Sequence, residues 1–161
     1  MIEYGWEQGY SIKVITVDEL RNERNYGDHE IASVPMLYFR GERQIYINPA
    51  ARMFTTGDPE AEAQEQARDR WWAIGSTRAL VDHEIGHARH HENLGDQAYA
   101  EEALRQPFDV DTILKISAEV SSYAATSPVE FVAETYTALV HGKTFGAEIM
   151  AIYKGLGGVI P

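Results

Sequence analysis

The sequence predicts an α+β fold, in which a small, mostly antiparallel sheet from the N-terminal third packs against a helical bundle. Two observations support the sheet. Residues 11–17 form a run rich in β-branched side chains, and residues 34–47 contain two strand patterns around a glycine-containing connection. A third observation supports the bundle, because from Asp58 onward helix caps alternate with apolar residues at three-and-four spacing.

Composition bounds the architecture and the partners. A chain of 161 residues suits one domain, so we expect a single domain over residues 1–161. Its N-terminal part, to about residue 57, should be rich in β-structure. The part from about residue 58 to 154 should be helical and should carry the functional site. The formal net charge of −11 argues against nucleic acid or an anionic membrane as the partner. Cysteine is absent, which excludes disulfides and thiolate metal ligands.

The N-terminal residues MIEYGWEQGY have neither a basic start nor a long apolar run, and no segment approaches the length of a membrane span. We therefore expect cytoplasmic synthesis without a signal peptide or a transmembrane segment. A protein without cysteine also tolerates later packaging or non-classical export, so the final compartment stays open.

The first elements follow from local chemistry. Residues 11–17 predict a strand that is buried mostly on both faces. Residues 18–25 favour a short helix capped by Asp18, and residues 26–28 are typical of a turn.

A β-hairpin is predicted next. Strand patterns at 34–39 and 44–47 flank the four-residue connection 40–43, and Pro35 places the first strand at an edge or at a strand start. An open edge either binds an extended peptide through main-chain hydrogen bonds or only covers the core. The sequence does not decide between these two roles.

The helical part begins at Asp58, the expected cap of a helix that leads into Trp71 and Trp72, two large apolar anchors for the core. Ser76 is expected to cap the next helix and Gly95 to end it. Further helices are predicted at 96–106, 109–121, 129–140 and 145–154. Surface or capping roles are expected for Ser117, Ser121 and Ser122, and the tail from residue 155 is expected to be loose.

The strongest chemical pattern is VDHEIGHAR, at residues 81–89. On a helix His83 and His87 lie one turn apart on one face, so both imidazoles can bind one metal ion, with Glu84 beside them. This HExxH spacing is typical of sites where two histidines hold zinc and the glutamate acts as general base toward a zinc-bound water molecule. The alternative is a helix that displays these residues to solvent. Apolar neighbours at helical spacing, and Gly86, which lets another backbone pack close, favour a half-buried helix.

A catalytic zinc ion usually has three protein ligands, so a third is needed. His90 and His91 lie near the helix end, where each is expected to face solvent. Glu130 is the better candidate, since it lies early in a capped helix with Glu134 one turn later on the same face. One carboxylate would bind zinc, and the other could accept the remaining N–H of a ligating histidine. The alternative is a pair of surface glutamates.

Together with the downstream sequence YAATSPVEFVAE, HEIGH resembles the catalytic domain of anthrax lethal factor and its relatives, which include secreted Pro-Pro endopeptidases. In that family a tyrosine and, seven positions later, a glutamate in an E-F-x-A-E sequence join the HExxH helix; the match falls on Tyr123, Glu130 and Glu134. The resemblance covers residues 77–141. It implies a zincin-like metallopeptidase domain, with Glu130 as third zinc ligand, the Tyr123 hydroxyl pointing toward the metal and Glu134 in support.

Chemistry alone allows the same role for Tyr123. A phenol near the metal can donate a hydrogen bond to the oxyanion that develops when water attacks a carbonyl. The alternative for Tyr123 is a core tyrosine with a satisfied hydroxyl.

The sequence thus predicts a zinc metalloendopeptidase acting on a peptide or protein substrate. His83, His87 and Glu130 would bind Zn²⁺, while Glu84 and Tyr123 would be catalytic. Two other hypotheses are a non-enzymatic, zinc-containing assembly or virion-associated protein on the same fold, and an effector or toxin fragment. Glu84 favours the enzyme, because a structural zinc site prefers four protein ligands and has no use for a general base.

Overall fold

A computed structural model describes residues 1–55, 57–105 and 108–161, without the side chains of Ile2, Tyr4 and Trp6. It confirms an α+β fold. Over the described residues the helices are α1 (Ile2–Glu7), α2 (Asp28–Ser33), α3 (Arg52–Thr55), α4 (Pro59–Arg68), α5 (Thr77–Leu94), α6 (Asp96–Ala103), α7 (Val110–Glu119), α8 (Pro128–Val140) and α9 (Ala147–Gly155). A π-helical turn spans Glu19–Glu23, and a 3₁₀ turn spans Ala124–Thr126.

The sheet is mixed, where a mostly antiparallel one was expected. Its strands are β1 (Ile12–Val14), β2 (Met36–Phe39) and β3 (Gln44–Ile47), in the order β1-β3-β2. Strand β3 pairs antiparallel with β2 and parallel with β1. The chain crosses through helical turns before it enters β2 at the far edge, and the hairpin then returns β3 in the direction of β1.

Strand β1 is shorter and more exposed than predicted. Ile12 and Ile15 are buried, but the side chain of Val14 is 56% exposed. Ile12 belongs to the main core cluster and Ile15 to a smaller one, while Lys13 and Val14 between them are exposed. The β-branched run is therefore covered only at these two positions and does not become a strand buried on both faces.

The helical turn after β1 has a different cap from the one expected. The Asp18 side chain accepts no capping hydrogen bond. Instead the Thr16 hydroxyl accepts from the Glu19 N–H at 3.2 Å, and the Glu19 carboxylate accepts from the Thr16 N–H at 2.7 Å. The predicted turn at residues 26–28 leads directly into α2.

The predicted hairpin is confirmed, with Pro35 immediately before the edge strand β2. The helix caps expected at Asp58 and Ser76 are confirmed, and Ser127 caps α8. The side chains of Asp58, Ser76 and Ser127 each accept a hydrogen bond from an N–H two or three residues later. Gly95 ends α5 with φ 80° and ψ 166°, a conformation that is essentially restricted to glycine.

Helices α5 and α8 form the centre of the bundle. Around their contact lie Val81, Ile85, Ile116, Phe131, Val132, Ile149 and Tyr153, all buried. A smaller cluster of Ile15, Leu20, Ile31 and Leu37 covers the other side of the sheet. Within the described residues, no helix is long and apolar enough to cross a membrane.

Other expectations for the helical part were wrong. Helix α4 ends at Arg68, and the Trp71 side chain is 42% exposed rather than a core anchor, while Trp72 packs partly against the core.

The C-terminal tail, expected to be loose, is held in place by hydrogen bonds. The Tyr153 hydroxyl donates to the Val159 carbonyl at 2.6 Å, and the Asn93 amide donates to the Gly157 carbonyl at 3.0 Å. Helix α6 ends at Ala103, before the predicted end at residue 106, which lies outside the described residues.

The backbones of α5 and α8 pack closely at Gly86, as its sequence position suggested. A Cβ atom there would lie 2.9 Å from the Ala133 Cα and 3.2 Å from the Ala133 carbonyl oxygen. Both atoms belong to the backbone of α8, so relief would require the two helices to move apart.

We therefore expect Gly86→Ala to lower the free energy of unfolding by up to about 2 kcal/mol, since overpacking costs about 1–3 kcal/mol and better helix propensity offsets about 1 kcal/mol. Denaturant unfolding would measure this. Gly155→Ala is the matched control, because a Cβ there meets nothing within 4 Å and the change should be neutral or stabilising. Equal effects of the two substitutions would contradict the close contact.

Candidate metal site

Two helices bring three donor atoms together. His83 and His87 of α5 place their Nε2 atoms 3.1 Å apart. The Glu130 Oε2 atom of α8 lies 3.0 Å from the His83 Nε2 atom and 3.3 Å from the His87 Nε2 atom. In a tetrahedral zinc site with bonds of about 2.0–2.1 Å, neighbouring ligand atoms lie about 3.3 Å apart. These three residues could therefore hold a metal ion with little movement.

Local structure explains why Glu130 faces α5. The Ser127 hydroxyl accepts a hydrogen bond from the Glu130 N–H at 3.3 Å, and Pro128 occupies the first helical position. Glu130 is thus in the first turn of α8. Its carboxylate is close to the two histidines, and although burial alone would raise the pKa of Glu130, the histidines hold it well below its usual range.

Glu134 lies on the opposite side of His83. Its Oε1 atom is 2.9 Å from the His83 Nδ1 atom. Its Oε2 atom accepts from the Ala73 N–H at 2.6 Å and from the Ser121 hydroxyl at 2.9 Å. Three donors hold this buried carboxylate in place, so it can fix the orientation of the His83 ring.

Ser121 was assigned to the surface or a cap, but its side chain is completely buried. Its hydroxyl donates to Glu134 and also accepts from the Ala124 N–H at 3.0 Å, so it does act as a local cap. Its contact with Glu134 spans thirteen residues of sequence. No local pattern predicts a contact of that range.

Glu84 is buried beside the donor atoms, with only 7% of its surface exposed. Burial raises the pKa of its carboxyl group, and the nearby His83 and His87 partly oppose this. The backbone N–H of Tyr38, on β2, donates to the carboxylate. A raised pKa brings a carboxylate closer to neutral pH, which suits a group that must accept and return a proton.

Tyr123 lies between two aromatic rings. Its ring stacks on His83 at 5.7 Å between centroids and contacts Trp71 at 5.4 Å. Burial is the main reason that the pKa of Tyr123 is raised, and the nearby carboxylates of Glu130, Glu84 and Glu134 raise it further. The phenol therefore stays protonated beside the donor atoms and can act as a hydrogen-bond donor.

His90 and His91 are buried, contrary to the expected solvent exposure. The His90 Nε2 atom lies 2.7 Å from the Leu156 carbonyl oxygen. His91 contacts the Tyr38 hydroxyl through Nδ1 at 2.8 Å and the Asp96 carboxylate through Nε2 at 2.7 Å. Both histidines tie α5 to neighbouring segments, and neither belongs to the donor cluster found among the described residues.

A cavity of about 240 Å³ adjoins the donor atoms. Its wall includes His83 and Glu84 together with an apolar side formed by Pro35, Met36, Trp71, Trp72, Ile74 and Leu80. A second cavity shares Ser33, Pro35 and both tryptophans with the first, and so extends the space toward α3 and α4.

The open edge of β2 faces α5. The Asn48 N–H donates to the Pro35 carbonyl at 2.9 Å. Hydrogen-bonded and non-hydrogen-bonded pairs alternate along an antiparallel ladder, so Leu37 and Tyr46 form the next hydrogen-bonded pair. The main-chain groups of Met36 and Tyr38 therefore point away from β3. The Tyr38 N–H is the one that reaches Glu84.

Both ring nitrogens of His83 face a carboxylate oxygen. Burial opposes protonation, but Glu130 and Glu134 more than offset it and hold the pKa of His83 well above its ordinary value. Near neutral pH we thus expect an imidazolium, and a metal ion could bind through Nε2 only by displacing its proton.

We expect zinc uptake near neutral pH to release about one proton from His83, and less as the pH rises through its raised pKa. Calorimetric titrations in buffers of different ionisation enthalpy measure this release. Uptake without proton release at neutral pH would show that His83 is not held as an imidazolium.

Comparison with known proteins adds no relative. No protein-family model, curated protein or solved structure matches the chain.

Proposed function

We propose that the protein is a zinc-dependent endopeptidase. One observation carries the proposal: a triangle of two imidazole nitrogens and a carboxylate oxygen, with sides of 3.0, 3.1 and 3.3 Å, lies beside a buried glutamate that is not part of it. Three nitrogen and oxygen ligands with a fourth position left for substrate are typical of catalytic zinc. The resemblance of HEIGH and the segment around Tyr123 and Glu130 to the lethal-factor family supports the same activity.

A zinc ion held by His83, His87 and Glu130 would act as a Lewis acid toward the peptide carbonyl and would favour ionisation of water. Glu84 takes the proton from the attacking water and returns it to the leaving amine, as its buried position and raised pKa allow. Tyr123 donates a hydrogen bond to the carbonyl oxygen as negative charge develops there. Glu134 keeps the His83 ring in place.

The cleft between β2 and α5 suits an extended peptide. Main-chain groups of Met36 on the open edge can pair with a substrate strand, and the apolar cavity beside Glu84 can take a side chain of that strand. These features favour cleavage within a chain over removal of a terminal residue.

The test combines metal content with cleavage. Purified protein, loaded with Zn²⁺ and dialysed, is analysed for metal and incubated with a mixed library of peptides blocked at both ends. We expect one zinc per chain and internal cleavage detected by mass spectrometry. Stoichiometric zinc without any cleavage would favour the zinc-containing assembly protein instead, and protein that binds no metal would overturn the metal site itself.

A further inference from the structure

Tyr99 of α6 contacts the face of α5 that carries the site. Its hydroxyl lies 3.1 Å from the Nδ1 atom of His87. Its ring packs against His90 and His91, at 5.2 and 4.8 Å between centroids. The sequence assigned no chemistry to α6. We infer that Tyr99 is a positioning residue whose hydroxyl oxygen accepts a hydrogen bond from the Nδ1–H group of His87 and so keeps Nε2 free for the metal; this rests on the proposed zinc site.

The direction of this hydrogen bond follows from the donor cluster. The His87 Nε2 atom lies 3.1 Å from the His83 Nε2 atom and 3.3 Å from the Glu130 Oε2 atom, so it is the nitrogen that can bind the metal. A neutral imidazole that binds a metal through Nε2 carries its proton on Nδ1. This buried N–H group needs a hydrogen-bond acceptor, and the phenol oxygen of Tyr99 is in position to be that acceptor.

The two metal-site histidines therefore have different partners. His83 donates to the Glu134 carboxylate, whereas His87 donates to a neutral phenol. A charged acceptor makes a stronger hydrogen bond than a neutral one. Tyr99 consequently fixes the tautomer and ring angle of His87 without placing a fourth carboxylate near the site, beside those of Glu84, Glu130 and Glu134.

A contact between Asp96 and His91 fixes the position of α6, and so of Tyr99, relative to α5. Asp96 lies three residues before Tyr99, on the same side of α6, and its carboxylate is 2.7 Å from the buried Nε2 atom of His91. The Nδ1 atom of His91 in turn contacts the Tyr38 hydroxyl on β2. Asp96 also pairs with Arg43, but both side chains are largely exposed, so this ion pair adds little.

Tyr99→Phe tests the inference because it removes only the acceptor oxygen. The His87 N–H would then be buried without a partner, and we expect zinc affinity to fall by about 10-fold, the lower end of the range for such supporting groups. Affinity is measured by competition with a chromophoric chelator, and the Co²⁺ absorption spectrum should change as the His87 ring reorients. Thermal unfolding with excess chelator checks the fold without metal.

Tyr153→Phe is the matched control. Tyr153 is also fully buried, and its hydroxyl makes a hydrogen bond to the Val159 carbonyl. This substitution should lower stability but leave zinc affinity and the Co²⁺ spectrum unchanged. Equal zinc affinities of Tyr99→Phe and the unchanged protein would overturn the inference while leaving the proposed function intact. Failure of the unchanged protein to bind zinc would instead overturn the proposed function.

A second measurement needs no substitution, and so applies even if Tyr99→Phe fails to fold. Long-range ¹H–¹⁵N correlation spectra of the zinc-loaded protein identify which nitrogen of each histidine carries a proton. We expect His87 to carry a proton on Nδ1 with the shift of a hydrogen-bonded N–H. An unprotonated Nδ1, with Tyr99 as the donor, would overturn the inference.

Discussion

Glu84→Gln is expected to reduce the rate of peptide hydrolysis by about 10²–10⁴-fold, the usual contribution of a general base, while zinc stays bound. Glutamine has nearly the same shape, and its amide oxygen can still accept the hydrogen bond from the Tyr38 N–H. It cannot take a proton from water. The loss should appear in kcat, because the removed interaction acts in the transition state rather than in substrate binding.

The control for this substitution is Glu92→Gln on the same helix. Glu92 is exposed and lies near the end of α5, where it contacts Tyr10 and Arg89. Its replacement should leave both zinc content and kcat unchanged. If Glu84→Gln retained most of the activity, Glu84 would not be the general base.

Glu130→Gln is expected to weaken zinc binding by more than about 100-fold, beyond the range for groups that only support a ligand. The substitution removes the negative charge that offsets the cation and leaves a poorer oxygen ligand. His83 and His87 remain, so residual weak binding is expected. Chelator competition gives the affinity, and unfolding in excess chelator separates a loss of binding from a loss of folding.

Glu134→Gln tests which of the two carboxylates, Glu130 or Glu134, binds zinc, a question that the sequence left open. Glu134 contacts the Nδ1 atom of His83, which is the far side of the ring from the donor cluster. We expect a smaller loss of affinity, about 10–100-fold. If Glu134→Gln weakened zinc binding more than Glu130→Gln, the roles proposed for the two carboxylates would be reversed.

Several local features of the fold were predictable because each depends on residues within one helical turn, although the cap expected at Asp18 is formed by Thr16 and Glu19 instead. The caps at Asp58, Ser76 and Ser127 satisfy N–H groups only two or three residues away. The hairpin around residues 40–43 is equally local. Contacts at this range are encoded by adjacent side chains and need no knowledge of the packing.

Sheet pairing and burial were less predictable because they depend on elements far apart in the chain. The parallel pairing of β1 with β3 joins residues about thirty positions apart, and the direction of the intervening crossover decided it. Trp71 is exposed because α4 ends at Arg68, and the residues that follow the helix line the cavity beside His83 and Glu84. Hydrophobicity alone predicts burial but not which surface remains open.

Within the site, the sequence by itself determined the pairing of His83 with His87, because four residues make one turn of a helix. Only the tertiary structure decided the partners. The contact between His83 and Glu130 spans 47 residues, and that between Tyr99 and His87 crosses from one helix to another. The tertiary structure also decided that His90 and His91 are buried in structural contacts, since a position near a helix end is exposed only where nothing packs over it.

The physical reason is the same throughout the site. Backbone geometry sets the spacing of residues that are close in sequence, whereas close packing of α5 against α8 at Gly86 sets which distant side chains meet.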